Sequence, residues 1–169
     1  AGYQITHDIC VGLNLSFDLA ESMKKKYGNV MLVDDDKGAD DRTLTEDGHS
    51  VSYAGLTEII RIRVEELLRL MMMELPRSEY PNLIPSGVVL AGGTSNLPGI
   101  AELAGKITRL PVRIGIPLNL VGIADTLLDP AYATGVGLLL WRKRNEGAQG
   151  WQPRRGIRRL VFQLFRIVR

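Results

Sequence analysis

The stretch Gly87-Val88-Val89-Leu90-Ala91-Gly92-Gly93-Thr94 runs from a short apolar segment into a glycine pair. Its β-branched and aliphatic residues predict a strand over Gly87–Ala91. Gly92 and Gly93 then predict a turn, where the missing Cβ lets a backbone come close to a ligand. Asn96 and Pro98 open a helix, because proline suits a first helical turn. That helix is predicted to end near Arg109, and a second short strand is predicted over Val112–Ile116. Strand, turn, helix and strand in this order predict an α/β lobe.

Reading outward from that lobe, Asp129-Pro130 is a cap followed by proline, and predicts a helix running through Trp141. Residues 145–153 are polar and glycine-containing, and read as a linker. On the other side, Pro76, Pro81 and Pro85 mark a connector. Before it, Leu56, Ile60, Val64, Leu67, Leu68, Met71 and Leu75 recur at helical spacing and predict a long helix from Tyr53 to Leu75. Residues Asp34–Gly48 are acidic, without apolar periodicity, and read as an exposed hairpin or loop, with a strand expected over Asn29–Val33. A helix over Phe17–Tyr27 has Ser16 as its cap, Asp18 early, Lys24, Lys25 and Lys26 late, and Gly28 after its end. Residues 5–13 predict a further short helix, with Thr6 as candidate cap and Ile9, Cys10 and Leu13 on one face. The first 85 residues thus read as a separate, mostly helical lobe.

The 169 residues are 45% hydrophobic and 24% charged, which fits a folded chain rather than a disordered one. The net charge of +2 conceals an asymmetry. Six of the 21 basic residues and none of the 19 acidic ones lie in 151–169, which leaves residues 1–150 at −4. One cysteine excludes a disulfide framework, and two histidines leave little for zinc. His7 and His49 have no visible triad or ligand partner, and Cys10 sits on an apolar face as a core residue would. Asp34-Asp35-Asp36 lacks the spacing of a calcium loop. No catalytic residue and no metal site is read from this sequence. The start at Ala1, within structured sequence, leads us to expect a fragment of a longer protein.

The basic tail has a pattern of its own. Ile157, Leu160, Val161, Leu164, Phe165 and Val168 follow helical spacing and form one apolar stripe, with Arg155, Arg158, Arg159 and other arginines beside it. A helix over Gly156–Arg169 would be about 21 Å long, short of the roughly 30 Å of hydrocarbon in a bilayer. It is therefore expected to lie in the interface of an anionic membrane, apolar face down, with Trp151 as an anchor at headgroup level. Nucleic acid is not expected as a partner, because the apolar stripe would have nothing to face on a phosphate backbone.

The succession of motifs resembles one family. Ile5-Thr6-His7-Asp8-Ile9 is followed by Ala20-Glu21, Lys24 and Tyr27-Gly28, then by Gly87–Thr94, Pro98-Gly99-Ile100, Arg113-Ile114-Gly115 and Pro117. Pro130-Ala131-Tyr132-Ala133-Thr134-Gly135-Val136-Gly137 closes the series. In this order the motifs resemble the C-terminal half of the FtsA family of actin-like bacterial division proteins, over nearly the whole chain. The resemblance implies an α/β, actin-like (ribonuclease H-like) ATPase fold. Residues 1–85 would be subdomain IIB and residues 86–144 part of subdomain IIA with the adenosine motif. Residues 145–153 would be a flexible linker, and residues 154–169 the C-terminal amphipathic, membrane-targeting helix.

The same resemblance implies ATP as cofactor, with magnesium ligated mainly by a lobe absent here, and weak or no ATPase activity. Gly92, Gly93 and Thr94 would hold the adenine and ribose side, with Glu21 and Lys24 across the cleft. Read bare, the glycines make a plain strand–helix turn and Glu21–Lys24 an i,i+3 ion pair. The implied partners are the C-terminal peptide of FtsZ, other copies of the protein in a head-to-tail polymer, anionic lipids and other divisome proteins. Arg61 and Arg63 are candidates for contacting the acidic peptide. The implied role is to anchor FtsZ filaments at the cytoplasmic face of the cell membrane, at the division septum. Two rivals share the fold. A PilM-type pilus adaptor normally lacks the tail, and a sugar or metabolite kinase needs a substrate pocket and a catalytic Asp.

Overall fold

The computed structural model describes residues 1–31, 42–74, 86–118 and 127–146. The expected acidic loop at Asp34–Asp36, the proline connector, Trp151 and the whole tail with its stripe and arginines lie outside the described residues. The chain divides into two compact units, Ala1–Thr134 and Gly135–Arg169.

Helix α1 spans Gly2–Leu13 and ends where Asn14 turns left-handed, at φ 52, with its N–H bonded to the Cys10 carbonyl. Thr6 does not cap this helix. It lies one turn inside, wholly buried, with its hydroxyl 3.0 Å from the Gly2 carbonyl. The helix begins earlier than expected, and its buried face is Ile5, Thr6 and Ile9.

Helix α2 spans Phe17–Tyr27, bounded as its punctuation predicts. The Ser16 hydroxyl accepts a hydrogen bond from the Leu19 N–H at 3.4 Å, and the three lysines complement the negative end of the helix dipole. Gly28 is there for space rather than for a left-handed turn. Its φ is −59, but a Cβ at this position would stand 2.2 Å from the Lys24 carbonyl oxygen. The expected strand after it does not form over residues 29–31. Val30 is buried and makes one backbone bond, from its N–H to the Pro98 carbonyl at 3.2 Å, with no ladder.

Strands β1 (Thr43–Glu46) and β2 (His49–Ser52) make an antiparallel hairpin in which Glu46 faces His49. Asp47 and Gly48, with φ of 48 and 77, make the two-residue turn whose twist suits such a pair. The hairpin end of the acidic segment is thus as expected. Helix α3, Tyr53–Glu74, follows directly and buries Leu56, Thr57, Ile60, Val64 and Leu68 on one stripe. Met71 packs against the core, and Met73 is exposed.

Strand β3 (Val88–Leu90) pairs in parallel with β4 (Val112–Ile114), Val88 facing Val112 and Leu90 facing Ile114. Backbone bonds from Val88 to Pro111 and from Gly115 to Leu90 lengthen the contact at both ends. Between the strands come a 3-10 turn, Gly93–Asn96, and helix α4, Ile100–Thr108. Pro98 and Gly99 form the bend before α4 rather than its first turn. Asp129 caps the next element as predicted, its carboxylate accepting from the Ala131 N–H at 2.7 Å. The chain first makes a 3-10 turn, Pro130–Tyr132, and then α5, Ala133–Glu146. Helix α5 runs past Trp141, because Arg142, Lys143 and Arg144 are good helix formers and suit a C-terminal turn.

One hydrophobic core serves the first unit. Ile5 and Ile9 of α1, Leu19 and Met23 of α2, Leu56 and Ile60 of α3, and Ile100, Leu103 and Ala104 of α4 all belong to it. Cys10 and Leu13 pack against its edge, in keeping with an apolar role for the thiol. Among the described residues, no helix is long and apolar enough to cross a membrane.

Candidate nucleotide cleft

The first turn of α1, helix α2 and the segment after β3 surround one open cleft of about 740 Å³. Glu21, Lys24 and Lys25 line it from α2, Gly2 and Tyr3 from α1, and Gly93, Thr94, Asn96, Leu97 and Pro98 from the segment after β3. Phe17, Gly28 and Ala131 complete the wall. Of the five residues expected here, four line the cleft. Gly92 stands one position outside it.

Gly92 has its own reason to be glycine. Its φ of 97 and ψ of 162 lie in a region that L residues with a side chain avoid. The conformation aims its carbonyl at Ser95, which donates both its N–H at 2.9 Å and its hydroxyl at 2.7 Å. The Gly92 N–H is held by the Pro130 carbonyl at 2.9 Å. Gly93 differs: a Cβ added there would meet only the Ala131 methyl, at 3.6 Å. Gly92 shapes the turn and Gly93 keeps the cleft open.

Glu21 and Lys24 are more than an i,i+3 surface pair. Lys24 Nζ lies 2.5 Å from Glu21 Oε2, 2.7 Å from the Thr6 hydroxyl and 3.2 Å from the Gly2 carbonyl. Its three N–H bonds therefore have three acceptors within the protein. Thr6 Oγ1 is 2.5 Å from the same Glu21 oxygen. The other carboxylate oxygen, Oε1, pairs with the exposed Lys25 ammonium at 3.3 Å. Burial pushes the Glu21 carboxyl up, but the hydrogen bonds from Lys24 and Thr6 outweigh it and hold its pKa below the ordinary value. Glu21 is thus an ionised acceptor, with Oε2 anchored by Lys24 and Thr6 and Oε1 paired with the exposed Lys25.

Sequence reading missed Thr6 and Gly2 in this site. A threonine inside an apolar helix face gives no periodic signal. Gly2 matters because a Cβ there would stand 3.0 Å from the Thr94 hydroxyl. Lys25, placed by sequence only in the last turn of α2, also borders the cleft. Lys26 points elsewhere and pairs with Glu46 at 3.5 Å.

Both arginines singled out for a partner are engaged within the chain. Arg61 pairs with Glu65 at 2.8 Å and Glu58 at 3.5 Å. Arg63 bridges to Asp8 of α1 through two nitrogens and also reaches Glu66 at 2.5 Å. Among the described residues, no group of His, Cys, Asp and Glu side chains could hold a metal ion.

A family model described as "Cell division protein FtsA" matches residues 1–137. The chain belongs to the FtsA family. The match takes in every element lining the cleft. The cell division protein FtsA of Pseudomonas aeruginosa is 38% identical over 156 residues, covering 87% of this chain and 36% of its own length. The Bacillus subtilis FtsA is 35% identical, covering 88% of this chain and 33% of its own length. The chain therefore spans about a third of these FtsA relatives. Among solved structures, MreB5 of Spiroplasma citri, bound to ADP, superposes with a TM-score of 0.62 at 16% identity, over 86% of this chain and 45% of that one. That likeness establishes the fold as a portion of an actin-like one.

Proposed function

We propose that this chain is the C-terminal portion of a cell-division protein that binds ATP through the cleft described above and anchors FtsZ filaments to the membrane. The observation that carries the nucleotide part is the cleft itself. Glu21 lines it together with Gly93 and Thr94, and with Phe17, Leu97 and Pro98 as apolar surface. The volume lies within the range of small-molecule and cofactor sites, and the carboxylate can accept hydrogen bonds from ribose hydroxyls. Gly93 leaves room for the base and sugar to approach the backbone. The phosphates and magnesium would be held mainly by residues outside this chain. The MreB5 structure solved with ADP supports the reading, because it shares the fold.

The remaining assignments rest on family membership and sequence. Residues 1–85 act as subdomain IIB and residues 86–144 as part of IIA. Residues 145–153 link them to a membrane helix over residues 154–169. FtsZ's C-terminal peptide, other divisome proteins and further copies of the protein are its partners, at the cytoplasmic face of the septal membrane. One short basic helix binds such a surface moderately, and many helices on a polymer bind it tightly through avidity. If Arg61 and Arg63 contact the peptide, they do so as members of ion-pair clusters and not as bare cations.

Two measurements test the proposal. Gly93→Ala in the full-length protein should fold normally, since its methyl meets only Ala131, and should weaken binding of a fluorescent ATP analogue. Unchanged affinity for Gly93→Ala and for the bulkier Gly93→Leu would remove the cleft from the argument. Sedimentation with anionic vesicles tests the tail: the parent protein should pellet, and Phe165→Glu or Leu164→Glu should stay in solution. Equal pelleting would refute the tether.

A further inference from the structure

We infer that Thr6 is a positioning residue of the cleft, whose buried hydroxyl locks Glu21 and Lys24 together, so that of these two side chains it is Glu21, through Oε1, that is left to meet the ligand. This rests on the nucleotide reading above. Thr6 is 0% exposed and cannot touch a ligand directly. Its hydroxyl nonetheless lies 2.5 Å from Glu21 Oε2, 2.7 Å from Lys24 Nζ and 3.0 Å from the Gly2 carbonyl.

Donor and acceptor counting fixes the roles. Lys24 has three N–H bonds and three acceptors, so its ammonium is saturated by Glu21, Thr6 and Gly2. The Thr6 oxygen accepts from Lys24 and has one hydrogen to give, which goes to the charged and nearer Glu21 oxygen rather than to the Gly2 carbonyl. Lys24 is consequently a holding cation, not a free one waiting for an anion. Its side chain is 12% exposed against 29% for Glu21. The Gly2 carbonyl draws the start of α1 into the same knot, beside the Thr94 hydroxyl, which a Cβ added at Gly2 would approach to 3.0 Å. One hydroxyl therefore ties together α1 and the cleft face of α2.

The test compares Thr6→Val, which keeps shape and loses the hydroxyl, with Thr6→Ser, which keeps the hydroxyl, in the full-length protein. Equilibrium titration with a fluorescent ATP analogue gives the affinity, and thermal unfolding without nucleotide gives the stability. Loss of a hydrogen bond to a charged group should weaken ATP binding by about tenfold or more in Thr6→Val. Thr6→Ser should stay near the parent value. Thr6→Val added to Glu21→Ala should cost no further affinity, because the oxygen it positions has gone. A merely structural Thr6 would lower the unfolding temperature in both backgrounds and leave affinity alone. Should Thr6→Val fail to fold, Thr6→Ala takes its place. If Glu21→Ala weakens binding while the Thr6 variant binds like the parent, the positioning role is refuted and the cleft stands. If neither Glu21→Ala nor the Thr6 variant changes ATP affinity, the cleft assignment itself is refuted.

Discussion

Arg63 grips Asp8 with two nitrogens of its guanidinium, Nη2 standing 2.8 Å from Oδ1 and Nε meeting Oδ2. The pair joins α3 to α1 across 55 residues of sequence. Exposed ion pairs are usually worth little, and two-pronged arginine–carboxylate pairs are the exception. The contact holds the Arg63 pKa above its ordinary value, chiefly through the hydrogen bonds to Asp8.

The first prediction concerns that pair. Arg63→Ala should lower the thermal midpoint, and Arg63→Lys should restore only part of it, because an ammonium cannot make both bonds in one plane. Thermal unfolding of both variants and of Asp8→Asn checks this. A lysine variant equal to the parent would show that charge alone, and not the fork, joins the helices.

Glu21 carries a pH dependence with a definite sign. Its pKa in the folded protein lies below the ordinary glutamate value of 4.5. The stabilisation it brings is therefore complete above that value and fades as pH falls through the depressed folded one. Unfolding by denaturant between pH 7 and pH 3 should show the parent losing stability more steeply below pH 4.5 than Glu21→Gln does. Parallel curves would mean that the anchored carboxylate contributes no differential proton binding. Glu46 and Asp129 are lowered as well, so the comparison is between variants and not with an absolute curve.

Gly92→Ala isolates backbone strain. Nothing lies within 4 Å of the added Cβ, so the whole effect comes from φ 97. A residue with a side chain in that region costs about 1–3 kcal/mol. Gly28→Ala should also destabilise, for the opposite reason: its backbone is ordinary, and the new Cβ collides with the Lys24 carbonyl. Denaturant titrations of the two variants measure both effects, and a neutral Gly92→Ala would contradict the backbone argument.

Ile60 gives the core its simplest probe. It is wholly buried on the core stripe of α3. Ile60→Ala should lower unfolding free energy by about 2–5 kcal/mol, through lost burial and the cavity left behind. A loss under about 1 kcal/mol would mean that the neighbouring helices collapse onto the gap.

Much of this fold was legible because its signals are local. Ser16, the lysine run and Gly28 delimit α2, and the spacing of Leu56, Ile60 and Val64 marks α3. Asp129-Pro130 marks its cap. Other features depend on residues distant in sequence. Val30 is as buried as a strand residue, yet its N–H bonds to the Pro98 carbonyl and no ladder forms over residues 29–31. Arg61 and Arg63 look like free cations until α1 and the carboxylates of α3 are set beside them. In the cleft, Glu21, Lys24, Gly93 and Thr94 were readable from motif resemblance. Thr6 was not, because a hydroxyl on an apolar face reads as a terminus or a misfit until its three polar neighbours are known.

The β1–β2 hairpin is attached to α2 at two points. The Glu46 carboxylate takes the Ser22 hydroxyl at 2.6 Å and the Lys26 ammonium at 3.5 Å, one helical turn apart. Ser22 directly follows Glu21 in the chain. A single carboxylate thus docks the hairpin on the helix that carries Glu21 and Lys24, and losing it would release both contacts at once.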